Sequence, residues 1–199
     1  MPKFTKPAVF LLALVPFAVL FFRALTDGLG PDPAQELSIE TGEWALRFLL
    51  ITLTLTPLRQ LTRRAGFILY RRMLGLFALF YATIHLFVWM TFILDFRWFA
   101  IIEEILERPY ITVGFSAYMI LLVLGVTSPR VMVRKLGKNW KRLHRFVYVA
   151  VILAVVHLLW ILRADITEAV QYGFIVFILL GYRYVRNLGR KSNKNGIKF

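Results

Sequence analysis

Long apolar runs separated by short charged connections dominate this chain. The first run, 8–25, follows Lys3 and Lys6. It is too long for a signal-peptide core and further spans follow, so it reads as an uncleaved transmembrane helix. An acid-, Pro- and Gly-rich loop is expected over 27–43, with Thr41 as cap of a short second helix at 44–58 that stops near Pro57. A third helix is expected over 73–94, a fourth over 110–127, a fifth over 143–162 and a sixth over 169–185. Between the third and fourth, Trp98, Phe99, Ile101, Ile102, Ile105 and Leu106 alternate with Glu103, Glu104 and Glu107 at helical spacing. That pattern predicts a short amphipathic helix on the membrane surface, the alternative being a fraying loop. No internal repeat is evident.

Charge orients the spans. Of the 25 Lys and Arg residues, only Arg23, Arg47, Arg97, Arg108 and Arg163 lie outside the N-terminus, the 59–72 loop, the 128–145 segment and the C-terminal end. All 11 Asp and Glu residues fall on the other three connections. The expected fold class is therefore all-α: a polytopic bundle of six transmembrane helices with both termini cytoplasmic. Residues 1–186 form one membrane domain, and 187–199 form a basic, disordered cytoplasmic tail.

Composition narrows the chemistry. The chain is 59% hydrophobic with a net charge of +14. In a polytopic membrane protein that charge belongs to cytoplasmic loops, and no nucleic-acid-binding module is visible. The absence of cysteine excludes disulfides, thiolate iron–sulfur ligation and covalent haem attachment. There is no P-loop, dinucleotide glycine fingerprint or H-E-x-x-H motif.

The histidines carry the functional signal. His85 lies thirteen residues beyond Arg72 on the third span, and His157 lies thirteen beyond His144 on the fifth. Both spans run outward, so each deep histidine sits about 20 Å from the inner edge. In a hydrocarbon core about 30 Å thick that is one level, in the outer half. Two imidazoles at one depth on parallel helices can ligate one haem from opposite faces. Gly75, Ala78 and Ala82 share a face with His85, and Ala150 and Ala154 with His157. Such small residues leave room for a flat macrocycle, or serve tight helix packing.

His144 sits about 20 Å below His157 and about 220° around a regular helix. Its counterpart on the third span is Arg72, so a second bis-histidine haem is not supported. It reads as an interfacial residue in a basic collar. The alternative is a cytoplasmic flavin-phosphate or quinone site with Arg71, Arg72, Lys141 and Arg142. Arg47 and Arg163 lie near the outer surface, to meet haem propionates or to snorkel to headgroups. Trp89, Trp98 and Trp160 suit an outer aromatic belt.

Four segments carry a family resemblance: TGEWALRFLLITLTLTPLR (41–59), RRMLGLFALFYATIHL (71–86), RPYITVG (108–114) and TSPRVMVRKLGKNWKRLHRFVYVAVILAVVH (127–157). In this order they resemble the MsrQ family, haem-binding membrane subunits of bacterial methionine sulfoxide reductase systems within the ferric reductase-like transmembrane group. The resemblance implies a six-helix inner-membrane protein that binds haem b and FMN. It implies electrons taken from the respiratory quinone pool or a cytosolic flavin reductase and passed to the periplasmic molybdenum enzyme MsrP, which repairs oxidised periplasmic proteins. The family's histidines match His85, His144 and His157, with His85 and His157 as iron ligands. The resemblance gives no residue-by-residue FMN site, and no catalytic residue is expected in this subunit. The soluble nicotinamide-binding domain of ferric reductases is missing, so electrons come from another molecule. The competing readings are a stand-alone ferric or quinone reductase-like b-type cytochrome and a proton-coupled transporter.

Overall fold

The apolar runs fold as helices, and no strand occurs among the residues that the computed structural model describes, 5–162 and 165–195. Helix α1 spans Thr5–Leu25, α2 Pro33–Thr62, α3 Arg71–Val88, α4 Trp98–Glu107 and α5 Pro109–Val126. Two short helices follow, α6 at Arg130–Leu136 and α7 at Lys138–Leu143, then α8 at Val147–Ile161 and α9 at Thr167–Asn195. Four segments are long and apolar enough to cross a membrane: Thr5–Leu25, Arg71–Ile93, Pro109–Val126 and Lys138–Ile161. This is a membrane protein, and its large exposed side chains, such as Leu12, Phe22, Phe87 and Phe177, are apolar because hydrocarbon is their solvent.

The second helix begins well before the expected position. Asp32 caps it, accepting the Gln35 amide at 3.0 Å, with Pro33 at the first helical position. The acid-rich stretch thus makes the first turns of α2 rather than a loop. Thr41 is not a cap. It is buried inside the helix and returns its hydroxyl to the carbonyls of Leu37 and Ser38. Pro57 does not end the helix, which continues to a left-handed C-cap at Arg63.

Both prolines inside the long helices are served from another helix. Pro16 lies within α1, and there the Tyr81 hydroxyl of α3 donates to Ala13 O (2.9 Å) and accepts the Phe17 amide (3.0 Å). Those two groups would bond each other in a regular helix, so Tyr81 inserts into the ladder and ties α1 to α3. Pro57 cannot donate to the carbonyl of Leu53, four residues back. Arg183 on α9 donates to it instead, at 2.5 Å.

The core lies between α2, α3 and α8, around Leu53, Ala78, Tyr81, Ala150 and Val151, each 0% exposed. The most extensive packing is α2 on α3 and α5 on α8. The amphipathic helix forms as α4, with Ile101 buried and Phe99, Leu106 and Trp98 outward. The basic 128–145 segment is two short helices hinged at Gly137, whose φ of 50° suits glycine. At the chain's end α9 continues beyond the expected 185 to Asn195.

Candidate functional site

His85 on α3 and His157 on α8 meet. Their ring centroids lie 6.2 Å apart and the ring planes cross at 77°. Each ring is fixed from behind by a helix carbonyl. His85 Nδ1 lies 2.8 Å from Ser38 O on α2, and His157 Nδ1 lies 2.7 Å from Tyr110 O on α5. A carbonyl can only accept, so Nδ1 carries the proton in both rings. That leaves the Nε2 lone pair of each ring for a metal. Metal-ligating histidines ordinarily have their other nitrogen engaged in this way.

Glycine makes the approach possible. Four residues on from each carbonyl, on the same helix face, stand Gly42 and Gly114. A Cβ at Gly42 would lie 3.1 Å from Cε1 and Nδ1 of His85, and one at Gly114 would lie 2.6 Å from the same atoms of His157. A methyl at Gly114 would crowd the imidazole off its carbonyl, while one at Gly42 would press on the ring more lightly.

The two pockets are copies of one arrangement. In both, 47 residues separate the carbonyl from the histidine. Ser38, Gly42 and His85 each precede Tyr110, Gly114 and His157 by 72 positions. At the same offset Pro57 meets Pro129, Ala78 meets Ala150 and Ala82 meets Ala154. The α2–α3 pair is thus repeated as α5–α8. The expectation of no internal repeat is corrected here. The constant spacing of glycine to histidine was the signal in the sequence. So few positions are retained that a scan for overall similarity passes over it.

The small-residue stripes serve packing. Ala78 and Ala150 are fully buried in the core, and Gly75 faces the Thr52 methyl of α2 at ordinary contact distance. Beside His157, a cavity of about 410 Å³ is lined by Pro109, Tyr110, Leu159 and Trp160.

His144 is not brought to the pair. It occupies a tight turn, His144–Phe146, between α7 and α8. Its ring stacks on Trp140 at 4.0 Å, and its Nε2 lies 3.1 Å from Thr127 Oγ1. Trp140 in turn donates to Thr127 O at 2.9 Å. Arg47 is engaged within the chain. It pairs with Glu43, donates to the Tyr172 hydroxyl at 3.0 Å and lies over the Trp44 ring. Arg163 falls outside the described residues. Of the expected belt, Trp98 and Trp160 are exposed and Trp89 is half-buried.

Comparison with known proteins agrees with this architecture. The family model "Ferric reductase like transmembrane component" matches residues 41–155, which include α3, α5 and the larger parts of α2 and α8. A curated relative from Xanthomonas oryzae pv. oryzae (strain MAFF 311018), named protein-methionine-sulfoxide reductase heme-binding subunit MsrQ, is 47% identical over 195 residues. The alignment covers 95% of this chain and 89% of the relative. The protein of that name from Xanthomonas euvesicatoria pv. vesicatoria (strain 85-10) is 47% identical, covering 94% and 88%. The one from Bordetella pertussis (strain Tohama I / ATCC BAA-589 / NCTC 13251) is 39% identical, covering 89% and 87%. On this similarity the chain belongs to the MsrQ family within the ferric reductase-like transmembrane proteins.

Proposed function

We propose that this chain is a membrane electron-transfer subunit holding haem b between His85 and His157. The observation that carries the reading is the spacing of the rings. An iron bonded at about 2 Å to one nitrogen of each ring, with about 1 Å more from nitrogen to ring centre, would set the centroids about 6 Å apart. The observed 6.2 Å fits. The donor set also fits: among the described residues no group of three or more His, Cys, Asp or Glu could hold a bare metal ion. Two imidazoles alone suit a metal whose other four positions are filled by a macrocycle.

Bound there, haem b would supply a one-electron carrier of tunable potential. The chain's own residues do the rest. Ser38 O and Tyr110 O hold the proton on Nδ1 of each ring and raise the basicity of the opposite nitrogen. Gly42 and Gly114 let the rings reach those carbonyls. The surrounding apolar helices exclude water and keep the site at low dielectric.

The wider setting of the reading combines loop charge with the family. Residues 1–186 form six spans, α2 and α9 joining the four strongly apolar helices, with both termini in the cytoplasm of the bacterial inner membrane. The curated relatives are named as haem-binding subunits of protein-methionine-sulfoxide reductase. By that kinship this chain delivers electrons to a periplasmic molybdenum-containing reductase, MsrP. Its donors are the quinone pool or a cytosolic flavin reductase, and FMN and His144 serve the cytoplasmic side. The test is direct transfer. The chemically reduced protein, mixed with purified MsrP and methionine sulfoxide, is reoxidised within the mixing experiment and unchanged without MsrP. Reoxidation at one rate with and without MsrP contradicts the partner.

A further inference from the structure

Away from the histidine pair, α8 and α9 leave an apolar groove of about 490 Å³ between them. The two helices run antiparallel along it. Gly173 stands beside Val155, where an added Cβ would lie 3.6 Å from the valine Cγ1, and further along α9 the Arg183 guanidinium lies over the ring of Tyr148, earlier on α8. Val155 and Val176, both buried, form the floor, and Ile152, Phe177 and Tyr184, all exposed, form the walls. A Cβ at Gly181 would meet nothing within 4 Å, so a side chain there would lie in the groove itself.

The dimensions select the occupant. From Gly173 to Tyr184 the groove runs about 16 Å along α9. That is the depth of one leaflet in a hydrocarbon core about 30 Å thick. Over this length the volume gives a channel about 30 Å² in cross-section. A helix about 10 Å across has a cross-section of about 80 Å², so neither a partner's helix nor one from a second copy enters it. A single extended hydrocarbon chain does.

Charge marks one end of the channel. Beyond Tyr184, α9 carries Arg186, Arg190, Lys191 and Lys194, with no acid before its last residue, Asn195. Because the helices are antiparallel, the start of α8 lies at the same end, and there Arg145 stands three residues before Tyr148. Arg145 and Arg186 are both exposed. Among the described residues the arginines in ion pairs are Arg23, Arg47 and Arg108, so neither of these two has a carboxylate. Arg186 donates to the Tyr182 hydroxyl at 2.8 Å. Basic clusters beside a span attract anionic headgroups. We propose that the α8–α9 groove holds one acyl chain of an anionic phospholipid, whose phosphate is met by Arg145 and Arg186. A neutral amphiphile fills the channel equally well but leaves both charges unanswered. The site stands apart from the haem reading.

The experiment uses the full-length protein purified in detergent and given equal amounts of phosphatidylglycerol and phosphatidylcholine with identical acyl chains. Bound lipid is counted by native mass spectrometry. Gly181→Leu fills the groove, and the double variant Arg145→Gln with Arg186→Gln removes the charge. Each is first checked for helical circular dichroism. Leucine has room at 181 and is a better helix former than glycine, so α9 is kept. Wild type should retain phosphatidylglycerol at least threefold over phosphatidylcholine. Gly181→Leu should lose at least threefold of the retained phosphatidylglycerol, and the double arginine variant should hold the two lipids equally. Equal retention of both lipids by wild type overturns the proposal, as does wild-type retention by folded Gly181→Leu. Dimers that Gly181→Leu splits without changing lipid retention overturn it in favour of a second copy. Should Gly181→Leu fail to fold, the arginine variant decides, and an undiminished preference for phosphatidylglycerol there overturns the site.

Discussion

Gly114 lies so close to His157 that a single methyl group on its Cα would stand 2.6 Å from two atoms of the imidazole. The equivalent approach of Gly42 to His85 is looser, at 3.1 Å. Gly114→Ala therefore displaces the ring from Tyr110 O, whereas Gly42→Ala needs only a shift of a few tenths of an ångström. Overpacking of this kind costs about 1–3 kcal/mol. The expected result is a largely high-spin or haem-poor Gly114→Ala protein and a low-spin Gly42→Ala protein, read from the visible spectrum. Equal spectra for the two variants contradict the asymmetry.

The ring planes of His85 and His157 cross at 77°. Near-perpendicular imidazoles donate into different iron orbitals and leave them close in energy. The oxidised protein should give a strongly anisotropic low-spin electron paramagnetic resonance signal with one very large g value. A rhombic signal of the parallel-plane kind would show that the carbonyls of Ser38 and Tyr110 do not set the ring angles.

Tyr81 is 0% exposed, and its hydroxyl occupies the gap in the α1 ladder next to Pro16. Tyr81→Phe leaves the Phe17 amide and the Ala13 carbonyl without that partner, a loss of about 1–3 kcal/mol. Thermal unfolding in detergent should report it as a lower midpoint, with the visible spectrum of the folded protein unchanged. A wild-type midpoint would mean that the ladder closes by itself.

In the first turn of α2, Glu36 accepts the Gly30 amide and pairs with Arg23. The Gly30 amide first, and then Arg23, hold its carboxyl below the ordinary value of 4.5 against the opposing effect of burial. The folded state thus prefers the carboxylate. The stabilisation is fully present above pH 4.5 and is lost as pH falls through the lower folded value. Hydrogen exchange over residues 23–36 should be slower in wild type than in Glu36→Gln at pH 7, and the two should converge in acid. Identical protection at pH 7 would refute the contact.

Much of this was readable from the chain because membrane burial imposes long apolar periods and because three histidines in 199 residues are easily compared for depth. The meeting of His85 with His157 and the amphipathic α4 came from spacing alone. The start of α2 did not, since Asp32, Glu36, Glu40 and Glu43 look like a solvated loop when the Asp32 cap and Pro33 are not weighed. The partners of Arg47 were hidden for a similar reason: Glu43 and Tyr172 lie on two helices, and only one is near in sequence. The services of Tyr81 to α1 and of Arg183 to Leu53 depend on which helices are neighbours, which hydropathy does not encode. Ser38 was hidden most fully, because its contribution is a main-chain carbonyl and any residue would supply it.

The central claim, one haem held by two carbonyl-fixed imidazoles, is tested most directly by the reduced-minus-oxidised visible spectrum of the purified protein beside His85→Ala and His157→Ala. The account predicts a low-spin b-type spectrum with one haem at this site in wild type. It predicts loss of that spectrum in each variant and partial return on adding free imidazole. A colourless, folded wild-type protein, or variants that keep the full low-spin spectrum, would contradict it.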